Sequence, residues 1–323
     1  MKRKGLKLIS YALALTAASA ILSAGAVYGL SLLPADGGEP IYEGLPVTSE
    51  KKDGLLVDVL PPACGTEENQ SPDDDRILIR AIDLSRVGAD GQPETLVSDF
   101  AGLAPNLDII EMLATPKLNC DGSPEVLIYH THSTESYADG DTYEAGHVFL
   151  NESDEKNMVA VGDEFAAVLE AHGIGVIHDT FHHISAGYNQ AYASSRDGVI
   201  GVLSKYSTVK LVIDIHRDSV SSDGSERKPL VHINGEPTAQ VMLVVGSNHK
   251  SWQKNLSAAL KMQKAMNEMS LTLARPIYFS KGEYNQSLFE GALLLEVGAA
   301  GNTLEEAKRA ARLAAEAFCK AYS

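Results

Sequence analysis

Three stretches of this 323-residue chain begin as apolar runs and end in side chains able to bind a metal or move a proton. The first, "VLIYHTHSTESY", passes from Val126–Tyr129 into His130, His132 and Glu135. The second, "KLVIDIHRD", carries Asp214, His216, Arg217 and Asp218, and the third, "LLLEVG", sets Glu296 between Leu295 and Val297. Imidazole nitrogens and carboxylate oxygens are donors from which tetrahedral zinc sites are built, and a catalytic site uses three protein ligands. His130 and His132 lie two apart, so in an extended chain they face the same way. A histidine that follows a strand is more often a hydrogen-bonded residue than a ligand, and three of them ending two strands leave both readings open. Glu296 speaks more strongly, because an unpaired carboxylate in such a strand costs several kcal/mol. Either a cation neutralises it or it works as a base of raised pKa.

These residues need elements that bring distant sequence together. Val126–Tyr129 reads as a buried strand. Glu155–His172 comes next, with Met158, Val161, Phe165, Val168 and Leu169 on one helical face, and Gly173 stands where a left-handed cap is wanted. Further strands are expected at Ile174–Ile177, in "KLVIDIHRD", "QVMLVVGS", "PIYFS" and "ALLLEVG". Helices are expected at Arg196–Tyr206, from about Trp252 to Ser270, and from a Thr303/Glu306 capping box to about Ala321. Strands alternating with helices predict an α/β fold, a largely parallel sheet flanked by helices. In such sheets ligands collect beyond the carboxyl ends of the strands, where all three polar ends would meet.

Ahead of this pattern the composition shifts. Residues 1–35 combine Lys2, Arg3, Lys4 and Lys7 with an uncharged run from Leu8 to Ala35, long enough to cross ~30 Å of hydrocarbon as a helix. They read as a cytoplasmic basic flank and a single-pass transmembrane anchor, which puts the rest of the chain outside the cell membrane. A cleaved signal peptide is the alternative, with a site in the small-residue stretch Ala18–Ala26. Residues 36–76 are an acidic Pro/Gly-rich spacer, 77–123 a helical or mixed lead-in, and 124–323 the main domain. Without the four leading cations, 23 positive residues face 43 negative ones, about −20 in all. That excludes nucleic acid as a partner. Cys64, Cys120 and Cys319 have no metal spacing and no disulfide framework.

In order, "VLIYHTHSTESY", "KNMVAVGDEFAAVLEAHGIGVIHD", "YNQAYASSRDGV", "LVIDIHRDS" and "EYNQSLFEGALLLEVGAAGNTLEEA" resemble the stage II sporulation protein P family, over about residues 124–323. That family comprises membrane-anchored peptidoglycan hydrolases related to zinc-dependent N-acetylmuramoyl-L-alanine amidases. The resemblance implies an amidase-like fold, a Zn2+ cofactor, amidase and peptide-crosslink endopeptidase activity on peptidoglycan, and a complex with sporulation proteins D and M at the engulfing membrane. Carried over, the first zinc ligand matches His132, with His130 as the neighbour that could replace it, a later one matches His216, and the catalytic glutamate matches Glu296. For the middle ligand Glu135 competes with Glu155 at the expected helix start and is preferred; His178 is a more distant candidate. Arg217 and Asp218 are expected to orient His216. His182 and His183, with His178, would line the groove, while His147, His172, His232 and His249 read as surface residues. Glu283, Ser287 and Glu290 depart from the family pattern, where basic, histidine and proline residues are expected.

Zinc with three protein ligands keeps a position for water, lowers its pKa to roughly 7 and polarises the scissile carbonyl. Glu296 would take the water's proton and pass it to the leaving amine, parting the lactyl group of N-acetylmuramic acid from L-alanine. Two other classes compete. A serine hydrolase built on Ser133 or Ser136 lacks a G-x-S-x-G elbow. A catalytically inactive peptidoglycan-binding scaffold would bind wall and release nothing.

Overall fold

The apolar runs become adjacent strands because only a sheet covered on both faces buries such continuous stretches. A computed structural model describes residues 76–323 apart from 94, 188 and 189. The expected anchor lies outside the described residues, as does the spacer except for Arg76. Among the described residues no helix is long and apolar enough to cross a membrane.

The strands are β1 (Arg76–Leu78), β2 (Arg80–Ile82), β3 (Val97–Asp99), β4 (Pro124–Tyr129), β5 (Thr142–Glu144), β6 (Gly175–His178) and β7 (Leu211–Asp218). They continue with β8 (Ser221–Ser222), β9 (Ser225–Ile233), β10 (Glu236–Ala239), β11 (Val241–Gly246), β12 (Ile277–Ser280) and β13 (Leu293–Ala299). The helices are α1 (Leu107–Glu111), α2 (Met158–Ala171), α3 (Ala191–Lys205), α4 (Trp252–Met269) and α5 (Leu304–Tyr322).

Seven strands form the central sheet in the order β3-β12-β11-β13-β7-β4-β6. Every pairing is parallel except β11 with β13, so the expected largely parallel α/β sheet is what the chain adopts. Its faces follow the two-residue alternation of the strands. Val126, Ile128, Ile213, Ile215, Leu293 and Leu295 point to one side, where they pack with Phe165 of α2, Met262 of α4 and Phe318 of α5. Leu127, Tyr129 and Val212 point to the other, against Val199 of α3. Asp214, His216 and Glu296 fall on this second face by the same alternation.

Local signals explain most boundaries. α2 starts at Met158, three residues later than expected, because the Asn157 side chain accepts from the Val159 amide at 2.9 Å and caps it there. Gly173 comes just after that helix with φ +77°, the left-handed geometry expected of it. The α5 capping box is formed in both directions, Glu306 N to Thr303 Oγ1 at 3.3 Å and Thr303 N to Glu306 Oε2 at 3.0 Å. α3 begins at Ala191, five residues before the expected start, and β6 is shifted by one residue.

The hairpin β9–β10 was not expected. Its two-residue loop is Asn234-Gly235, both at positive φ (53° and 83°), the geometry that twists a tight hairpin correctly. The lead-in is mixed rather than helical: β2 pairs with β9, and β3 extends the central sheet beside β12.

Candidate metal centre

Register alone brings two of the candidate residues together: Glu296 on β13 pairs with His216 on β7. The remaining two come from the turn after β4. Residues 131–134 turn back on themselves, and Glu135 N donates to His132 O at 3.1 Å. His132, Glu135 and His216 are all buried, and one ligand atom from each lies within 4.8 Å of the others. Glu135 stands between the imidazoles, with Oε1 3.6 Å from His132 Nδ1 and Oε2 3.5 Å from His216 Nδ1. It also accepts from the Arg217 amide at 3.3 Å.

Asp214 fixes the far side of His216. Its Oδ1 lies 2.9 Å from His216 Nε2, which leaves Nδ1 facing Glu135. Asp214 is itself held by the Thr131 amide (2.9 Å) and hydroxyl (2.6 Å), so the turn that carries His132 also orients His216 through one carboxylate. Arg217 and Asp218 do not have the orienting role expected of them. The Arg217 side chain donates to the carbonyls of Ser136 and Phe149 at 3.0 Å, and Asp218 pairs with Arg275 at 2.7 Å.

His130 does not share His132's direction. β4 stops at Tyr129, so the extended geometry that would align the two histidines ends before either. His130 turns to the α2 side, its Nδ1 2.9 Å from Ile215 O and its Nε2 2.8 Å from His178 Nε2, and His178 pairs with Asp163 at 3.0 Å. Gly162 makes room for this pair: a Cβ there would stand 2.6 Å from His178 Nε2 and 2.7 Å from His130 Nε2. Glu155 is exposed and outside the cluster. His182 pairs with Asp154 at 2.7 Å, and buried His183 with the Ser194 hydroxyl at 3.0 Å. His147, His172 and His232 are exposed, and His249 is half-buried.

The electrostatics stem from burial. Burial, partly opposed by Glu135, holds the His132 imidazole down at about 4, so it is neutral at pH 7. Burial alone would lower His216 too, but Asp214 and Glu135 outweigh it and raise its pKa well above the usual value. Burial lifts the Glu296 carboxyl to about 8; His216 opposes the shift, and Asp218 and Glu135 add to it.

One neighbour escaped the sequence reading. Tyr192 of α3 stacks edge-on to His132 at 5.6 Å, and its buried hydroxyl has no hydrogen-bond partner among the described residues. Burial, with Asp214 and Glu296 nearby, raises its pKa well above 10, so it remains a donor. Nothing in "YNQAYASSRDGV" marks this tyrosine off from Tyr188, so no sequence signal identified it.

Fold and cluster together define an α/β protein with a candidate metal centre at the carboxyl end of its parallel strands and a buried carboxylate beside it. The chain belongs to the stage II sporulation protein P family, whose sequence model matches residues 69–319. It is 33% identical over 272 residues to the stage II sporulation protein P of Bacillus subtilis (strain 168), across 77% of this chain and 66% of that one. The chain thus spans just under two thirds of the length of that relative. Among solved structures it is similar to the N-acetylmuramoyl-L-alanine amidase AmiC2 of Nostoc punctiforme, at 15% identity and TM-score 0.39 over 62% of this chain and 96% of that one. An amidase from Clostridium difficile 630 is similar at 12% identity and TM-score 0.36, over 62% and 95%.

Proposed function

We propose that this chain is a zinc-dependent N-acetylmuramoyl-L-alanine amidase that cleaves peptidoglycan during spore engulfment, with peptide-crosslink endopeptidase activity as well. The observation that carries the reading is the buried convergence of His132, Glu135 and His216, with Glu296 beside His216 in register. The donor set fits zinc: two imidazoles and one carboxylate, one of the imidazoles held neutral by burial and the other clamped through its second nitrogen.

His132, Glu135 and His216 would hold the ion, which supplies Lewis acidity toward the carbonyl and lowers the pKa of water. Glu296 takes the proton from the attacking water and returns it to the leaving amine, a role supported by its buried place beside His216. Asp214 keeps His216 in one orientation. The Tyr192 hydroxyl donates to the carbonyl oxygen as negative charge develops there, the preorganised donor that acyl-transfer sites require. In this reading the N-terminal run anchors the protein in the membrane, and sporulation proteins D and M are its partners.

The test is mass spectrometry of fragments released from purified peptidoglycan, alongside elemental analysis of zinc. A new L-alanine amino terminus and one zinc per chain are expected, with both lost in His132→Ala and His216→Ala. Stoichiometric zinc in those variants, or binding to peptidoglycan without release of fragments, overturns the reading.

A further inference from the structure

The row of side chains that runs from His216 to Glu296 does not end there. Met242 of β11 pairs with Glu296, and it lines a cavity of about 350 Å3 between the central sheet and the small sheet built on β9. Neighbouring strands are ~4.8 Å apart, so the cavity opens one strand beyond the proposed base. Three arginines line it: Arg86 and Arg227 from the small-sheet side and Arg275 from the stretch before β12. Phe100 and Tyr278, rings 4.8 Å apart, form its apolar wall.

This local charge is opposite in sign to that of the whole protein, whose net charge is −16. Arg275 is pinned by Asp218 at 2.7 Å and is only 6% exposed. Arg227 donates to the Ser225 hydroxyl at 3.1 Å and has one loose ion pair, with Asp223 at 3.7 Å, itself 91% exposed on its side chain. Arg86 is exposed, and among the described residues it has no ion pair and no carboxylate lines the cavity.

We infer that this cavity is a subsite for an acidic peptide, holding a free carboxylate one or two residues beyond the scissile amide. The inference rests on the proposed amidase reading, because Glu296 there protonates the leaving amine and the departing peptide must therefore lie on its side. From Glu296 a peptide advances ~3.3 Å per residue. Its second residue reaches the arginines, whose forked donors match a carboxylate. Phe100 and β3 come from the lead-in, which thereby supplies a wall of the site.

The test measures binding of two probes to the zinc-loaded full-length chain by calorimetry: an L-alanyl-D-glutamyl peptide with free carboxylates, and the same peptide as its carboxamide. The carboxylate form should bind about tenfold or more tightly, the worth of one charge-assisted hydrogen bond, and its affinity should fall with salt. Arg86→Gln and Arg227→Gln should each remove about tenfold for the carboxylate probe and leave the carboxamide unchanged. Equal affinity for the two probes, or the same preference in both variants, overturns the subsite. Hydrolysis of peptidoglycan without that contrast leaves the amidase reading standing and removes only the subsite. The contrast without hydrolysis overturns the amidase reading and, with it, the placement of the cavity beyond a scissile amide.

Discussion

At the scale of single residues, Glu296 separates metal binding from proton transfer. Glu296→Gln keeps its shape and removes its basicity, so zinc content should stay at the parent level while turnover falls at least a hundredfold, the lower range for a general base. Turnover close to the parent rate would remove Glu296 as the base. The same carboxyl sets a pH dependence in zinc-stripped protein. Burial holds it at about 8 in the fold against 4.5 when exposed, so the folded state keeps a proton that the unfolded chain has released. The stability it would otherwise contribute is complete below 4.5 and is lost as pH rises through about 8. In melts of the stripped protein, Glu296→Gln and parent should therefore converge at pH 4, with the variant pulling ahead by pH 9. Tyr192→Phe deletes one unpartnered hydroxyl and nothing else. It should lower kcat by about tenfold to a hundredfold with KM and zinc content unchanged, a little less than a full oxyanion donor is worth. Unchanged kcat would leave the hydroxyl without a role. Glu296 was legible in the sequence because a carboxylate inside a leucine run demands an explanation from local context alone. The divergence of His130 from His132 was not, since it depends on β4 stopping one residue before His130.

At the scale of elements, the helix cap after the metal turn ties fold to site. The Asn157 side chain caps α2 and donates to Asn151 O at 3.1 Å, while Met158 N donates to Ser133 O at 3.2 Å inside the turn that carries His132 and Glu135. Asn157→Ala should therefore cost about 1–2 kcal/mol, a fall in Tm of about 3–6 °C, and weaken zinc binding as well. A lowered Tm with zinc affinity intact would separate the cap from the site. Amphipathic periodicity had located this helix, but Glu155 and Lys156 suit a first helical turn as well as a loop. Only the capping hydrogen bond decides the boundary. The β9–β10 hairpin stayed hidden for a different reason. Its strands, "SERKPLVHI" and "EPTA", are polar because they form a small second sheet rather than a two-sided core, and Asn234-Gly235 was the one local signal of the turn.

At the scale of the whole molecule, composition divides the chain where the folding does not. The regular α/β pattern begins near Pro124, and a fragment starting there retains the whole metal cluster and Glu296. It would lose β3 from the edge of the central sheet, β2 from the small sheet, and the packing of buried Ile79, Ala101, Ile110 and Leu118. Ala101, Ile110 and Leu118 belong to the same core as Phe165 and Phe318, so their removal exposes the apolar surface they cover. Deleting a fully buried leucine or isoleucine side chain costs ~2–5 kcal/mol, and domains of this kind hold only ~5–15 kcal/mol in reserve. A fragment of residues 124–323 should consequently melt well below one of residues 76–323, or aggregate on expression, while the longer fragment unfolds cooperatively. Equal Tm values and equal zinc content in the two fragments would show that the lead-in is dispensable for folding, and that residues 124–323 form the folding unit by themselves.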